Sequence, residues 1–198
     1  GDKILSEEFL VGEPGEEKRN LSVTFKGLKN TESIRSTTII LWGAGQFMAT
    51  NAAVSPDDGN SRNITFKGDL TNADLTALAA EDFTTIRRAT DNANVAAAGD
   101  KILSEEFLVG EPGEEKRNLS IAYKGAALAQ SIRSATLALW GAGQLMATNA
   151  AVSPDDGNSR NITFKGDLTN ADLTALAAEA FTTTRRASPA RAPPRRVR

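Results

Sequence analysis

From Asn20 to Lys26 apolar and polar side chains alternate, with Leu21, Val23 and Phe25 on one face and Ser22, Thr24 and Lys26 on the other. Successive side chains of a strand point to opposite faces, so this spacing predicts a half-buried β-strand. Ser36 to Trp42 is β-branched and ends in a continuous apolar run, the pattern of a central strand. A weaker strand is predicted over Phe47 to Val54. The cluster Ser55-Pro56-Asp57-Asp58-Gly59-Asn60 then marks a turn whose Asp-Gly pair favours a tight hairpin, and Asn63 to Lys67 returns as a strand. Ile4 to Val11 mixes apolar and acidic residues and reads as an edge strand. Further on the period changes. Leu75, Leu78, Ala79 and Phe83 share a helical face, and Thr71 and Asp74 have capping spacing, which together predict a helix from about Asn72 to Arg87. Its counterpart runs from about Asn170 to Arg185.

The whole pattern occurs twice. Gly1–Ser22 recurs unchanged as Gly99–Ser120, and Met48–Glu81 as Met146–Glu179, both at an offset of 98. Between Val23 and Phe47 most changes are apolar for apolar, including Val23 to Ile121, Phe25 to Tyr123 and Phe47 to Leu145, so both copies can keep one kind of core. A fainter repeat relates Pro14–Gly27 to Pro56–Gly68 inside each copy: a turn, then Arg-Asn, then a strand ending Thr-Phe-Lys-Gly. Units of this size can bury a modest core of their own. The expected fold is therefore mainly β, with α+β as the alternative: two tandem copies of a small antiparallel β-sandwich or barrel-like domain, each with one helix. The predicted boundaries are 1–98 and 99–186, with Asp91 to Ala98 as linker and 187–198 as a basic tail containing Pro189, Pro193 and Pro194, extended or disordered by itself.

Composition narrows the chemistry. The 198 residues include no Cys and no His, which removes Ser-His-Asp and Cys-His nucleophilic machinery and the usual zinc ligands. Glu7-Glu8, Glu16-Glu17 and Asp57-Asp58 are carboxylate pairs, but neighbours on a strand point apart, whereas glycoside hydrolysis needs two carboxylates facing across a cleft. Asp57, Asp58 and Asn60 lack the spacing and distal Glu of a helix-loop-helix calcium loop. No catalytic residue, metal site or cofactor is predicted, and no apolar run is long enough to span a membrane. The formal net charge of −2 hides an asymmetry. Arg185, Arg186, Arg191, Arg195, Arg196 and Arg198 crowd the end without an acid, leaving about −8 on the rest of the chain.

Four groups of residues are candidates for function. Trp42 and Gln46, repeated as Trp140 and Gln144, stand beside glycines and could stack and hydrogen-bond a sugar; a core Trp at a strand end reads the same way. Asn20, Asn63, Asn118 and Asn161 head N-glycosylation sequons, which matter only in a secretory pathway. Leu5, Phe9 and Val11, with Leu103, Phe107 and Val109, could fill pockets on a neighbouring sheet if the start of each copy pairs with an exposed edge. The Arg tail could neutralise phosphate or dock on an acidic surface.

Ala96-Ala97-Ala98 before Gly99 has the small-residue character that precedes signal-peptidase cuts, although an Ala-rich linker looks identical. A start at Gly1 fits either the removal of a leader or a fragment of a longer chain; the first reading, with the small-residue pattern, gives an extracellular or cell-surface location as the expectation. The leading expectation is a non-enzymatic structural protein, a tandem subunit of a filament or other ordered assembly whose partners are copies of itself. The alternatives are a bivalent lectin-like module that binds glycans, and a virion protein whose tail meets nucleic acid.

Overall fold

The computed structural model describes residues 3–179 and 181–183. Each copy contributes five strands: β1 (Ser6–Val11), β2 (Lys18–Lys26), β3 (Ser33–Trp42), β4 (Phe47–Met48) and β5 (Asn60–Lys67), then β6 (Lys101–Val109), β7 (Lys116–Lys124), β8 (Ser131–Trp140), β9 (Leu145–Met146) and β10 (Asn158–Lys165). The protein is mainly β, as the alternation predicts. All ten strands belong to one antiparallel sheet in the order β1-β2-β3-β5-β6-β7-β8-β10, with β4 on β3 and β9 on β8. The faint repeat within each copy becomes a local symmetry, because its two strands, β2 and β5, flank β3.

Two self-contained domains were expected, and the structure instead runs one sheet through both copies. The boundary between the copies falls inside the sheet, where β5 pairs with β6 from Arg62↔Phe107 to Lys67↔Lys101. Each of these strands would otherwise expose a row of unpaired backbone groups, and pairing satisfies both rows at once. The hydrophobic core follows the sheet: one cluster draws Ile39, Ile64 and Phe66 from the first copy and Ile102, Ile121 and Leu137 from the second. On the opposite face the alternate residues are polar, for example Thr38 and Thr65, whose hydroxyls hydrogen-bond at 2.9 Å.

The helical segments differ from expectation. Helix α1 (Asn72–Ala79) has the predicted capping box, with Thr71 accepting from the Asp74 amide and Asp74 from the Thr71 amide. It stops well short of Arg87 because the carbonyls of Phe83 and Ile86 are drawn to the Arg62 guanidinium, at 3.2 and 2.7 Å, instead of continuing a helix. In the second copy α3 (Asn170–Ala177) ends likewise. The predicted linker is structured: a 3-10 turn at Ala89–Asp91 leads into α2 (Ala93–Ala97), whose N-cap is Asn92. Val95 and Ala98 are buried in the shared core, so this alanine-rich stretch packs rather than tethers. The strand predicted over Phe47 to Val54 shrinks to two residues, because turns at Asn51 and Val54 take its backbone. Among the described residues no helix is long and apolar enough to cross a membrane.

Candidate functional site

The place where the structure concentrates its chemistry is the β5–β6 seam. Arg62 of β5 and Glu105 of β6 face the core, and both side chains are fully buried. Arg62 Nη2 donates to Glu105 Oε2 at 2.7 Å. The same carboxylate accepts from the Tyr123 hydroxyl at 2.6 Å and the Ala89 amide at 3.2 Å. Arg62 Nη1 donates to the Phe83 and Ile86 carbonyls and to Gln46 Oε1. Its guanidinium lies 4.7 Å from the Phe107 ring centre, where the π-face attracts a cation. Burial, and then the adjacent Glu105 charge, raise the Tyr123 phenol far above its ordinary range.

A buried ion pair adds little net stability against an apolar pair, but breaking one costs several kcal/mol. That asymmetry makes the pair a register lock. A one-residue slip of β6 would turn Glu105 to the other face and strand Arg62 in the core.

Outside the strands a second device ties the copies together. Arg87 Nη1 and Arg88 Nε reach the two carboxylate oxygens of Asp167 at 2.7 and 3.0 Å, and both arginines donate to the Leu168 carbonyl. Two arginines of the first copy thus grip the turn between β10 and α3 of the second. Asn60 N also donates to Glu115 Oε1 at 2.9 Å across the seam. Gly59 sits so close that a Cβ there would lie 2.5 Å from the Gly110 carbonyl oxygen, whereas nothing lies within 4 Å at the matching Gly157. Beside the seam an open cleft of about 410 Å³ is lined by Gln46, Arg62, Phe107 and Asn118 among others.

The predicted residues distribute unevenly around this seam. Of the six assembly candidates, Leu103 and Phe107 are half-buried in it and Val109 is partly exposed at its end. Phe9 and Val11 occupy the same positions on β1, where every residue of the strand is exposed, and Leu5, just before the strand, is exposed as well. Trp42 and Trp140 are pins of a local fold. Each indole N–H donates at 2.9 Å to a backbone carbonyl, of Arg19 and Arg117 respectively. A lysine covers each ring, Lys18 at 4.4 Å and Lys116 at 4.6 Å, and each of these lysines is held by two carbonyls of the following loop. Gln46 and Gln144 turn toward Arg62 and Arg160. Among the sequon asparagines Asn20 is buried, Asn63 and Asn118 are half-buried and Asn161 is exposed. Arg185, Arg186, Arg191, Arg195, Arg196 and Arg198 lie outside the described residues, as does the rest of the predicted tail.

Sequence reasoning missed the Arg62–Glu105–Tyr123 network and the grip of Arg87 and Arg88 on Asp167. One signal was available. Phe25 becomes Tyr123 between the copies, an added hydroxyl that a purely apolar reading passes over. It stands in the copy whose glutamate is buried. The chain matches no family model, no curated protein and no solved structure.

Proposed function

We propose that this chain is a non-enzymatic structural protein, a β-sheet subunit of an extracellular filament or other ordered assembly built by adding sheet to sheet. One observation carries this reading: the first and last strands of the sheet's main path, β1 and β10, repeat the sequences of β6 and β5, which are joined inside the chain. The chain thus contains one copy of a joint together with a second copy of each of its halves, whose outer edges no other strand pairs among the described residues. Long exposed edges are normally blunted, because they template pairing with another chain. Here the exposed edge keeps Ile4, Leu5, Phe9 and Leu10 in solvent.

The non-enzymatic part draws support from the absence of His and Cys in the sequence and from the arrangement of the one fully buried glutamate, Glu105. Its carboxylate is fully buried and accepts from a guanidinium, a phenol and a backbone amide, an arrangement that holds strands together and is closed to a substrate by burial. The tryptophans already spend a ring face on lysine and their N–H on backbone, which weighs against the sugar-platform alternative.

Light scattering over rising protein concentration, followed by electron microscopy, tests the reading. Growth into filaments or larger sheets is the expected result. A particle that keeps the mass of one chain at the highest attainable concentration would overturn it.

A further inference from the structure

Resting on that reading, we infer that β10 of one molecule receives β1 of a second copy, in the register of the internal β5–β6 seam. β10 and β5 share the sequence Asn-Ser-Arg-Asn-Ile-Thr-Phe-Lys, and β1 with its flanks repeats β6 residue for residue. Identical sequences have opposite burial according to whether the joint is made. Ile102 is 0% exposed and its equivalent Ile4 59%; Glu105 is 0% exposed while the residues of β1, Glu7 among them, are all exposed. On the receiving side β5 alternates buried and half-buried, whereas β10 is mostly exposed.

Transferring the seam register by the offset of 98 places Arg160 opposite the second copy's Phe9, Asn161 opposite Glu8, Ile162 opposite Glu7 and Thr163 opposite Ser6. Glu7 then approaches Arg160 as Glu105 approaches Arg62, while Arg160 keeps the contacts to Gln144 and the Phe181 carbonyl that mirror those of Arg62 to Gln46 and Phe83. Glu17 becomes available to the Asn158 amide as Glu115 is to Asn60. Charge selects this partner over the symmetric ones. Pairing β1 with β1 would bring the acidic side chains of two copies together, whereas β10 brings Arg160 to the face that carries Glu7.

Because the two edges differ, the contact is head-to-tail. Each added copy presents the same edge again, so the contact propagates into an open filament unless the rotation between copies closes a ring. It is also a reduced form of the internal joint. Phe25 stands where Tyr123 supplies its hydroxyl, and after Ala187 the sequence that forms the 3-10 turn and α2 at residues 89–98 does not recur. The joint between molecules is therefore reversible and concentration-dependent, while the seam within the chain is permanent.

The chain has no cysteine, so single thiols report the register directly. Two variants, Ser6→Cys and Thr163→Cys, are mixed at a concentration where scattering reports association, and are then oxidised. The out-of-register control mixes Ser6→Cys with Asn161→Cys, two residues along the same strand face and beyond disulfide reach of the predicted partner. A chain carrying both Thr65→Cys and Ser104→Cys gives the internal seam as a positive control. The expected result is at least about tenfold more mixed covalent dimer from the in-register pair than from the control, a margin that corresponds to about 1.4 kcal/mol of register preference. Association by scattering with equal yields from the two mixtures, or with covalent dimers of the Ser6→Cys variant with itself dominating, overturns this interface but leaves the assembling-protein reading standing. Absence of both association and mixed dimer overturns the two together.

Discussion

Glu105 and Glu7 lie in identical stretches of sequence, Gly99–Ser120 and Gly1–Ser22, and have opposite surroundings in space, so the pair isolates what the seam contributes. Consider Glu105→Ala. The substitution removes the partner of a fully buried guanidinium at 2.7 Å and leaves the Tyr123 hydroxyl and the Ala89 amide without their acceptor. Arg62 Nη1 keeps its carbonyls, but these do not neutralise its charge. Breaking a buried ion pair from one side costs about 3–5 kcal/mol. The orphaned phenol and amide add to that cost, and relaxation of the cleft beside Arg62, which lets water reach the guanidinium, subtracts from it. A loss of about 4 kcal/mol is the central expectation, a large share of the total for a chain of this size. Glu7→Ala acts on an exposed side chain and is expected to change stability by less than about 0.5 kcal/mol. The assay is urea unfolding followed by circular dichroism, at a protein concentration low enough that scattering detects only single chains. Equal losses for the two variants, or a loss below about 1 kcal/mol for Glu105→Ala, would refute the argument that the seam is locked by this pair.

Two further outcomes are expected from the same network and its cover. Phe83, buried in the shared core and carrying one of the carbonyls that hold Arg62, should cost about 3–5 kcal/mol as Phe83→Ala; a loss under about 1 kcal/mol in the same assay would show that this face is not core. Tyr123 is the single tyrosine, and its phenol is held protonated in the folded chain above the ordinary value of 10.0. Above that pH the unfolded chain binds fewer protons than the folded one, so the contribution is complete below pH 10 and is lost as pH rises beyond it: the folded state loses up to about 1.4 kcal/mol per pH unit. Tyr123→Phe should flatten the alkaline slope while lowering stability at neutral pH. Tyrosinate absorbance that rises with a midpoint near 10 in a chain still folded by circular dichroism would contradict this.

The strands and the start of the helix were legible because they depend on local order. Leu21, Val23 and Phe25 alternate, and Thr71 and Asp74 close a capping box from three residues apart. The end of the helix was not legible. Apolar spacing carries on to Phe83, but the carbonyls of Phe83 and Ile86 answer to Arg62, some twenty residues away in sequence. The stretch from Asp91 to Ala98 looked like a linker because Ala and Asn are small and polar, and its role depends on Val95 and Ala98 finding a sheet that only the folded second copy supplies. The grip of Arg87 and Arg88 on Asp167 spans about eighty residues, beyond the reach of any periodicity.

By itself the sequence determined that the chain is mainly β, that it is built from one unit used twice, and which residues of each strand share a face, since alternation and identity are properties of the string. It could not determine which of two identical segments would be core. Ser6–Val11 and Ser104–Val109 have the same side chains, and so do Asn60–Lys67 and Asn158–Lys165, yet one of each pair is sheltered in a seam and the other is, among the described residues, a mostly exposed end strand of the sheet. Burial belongs to the surroundings of a residue, not to its identity. A strand is buried when a second strand satisfies its backbone and covers its face, and in this chain only the tertiary structure decides which copies meet.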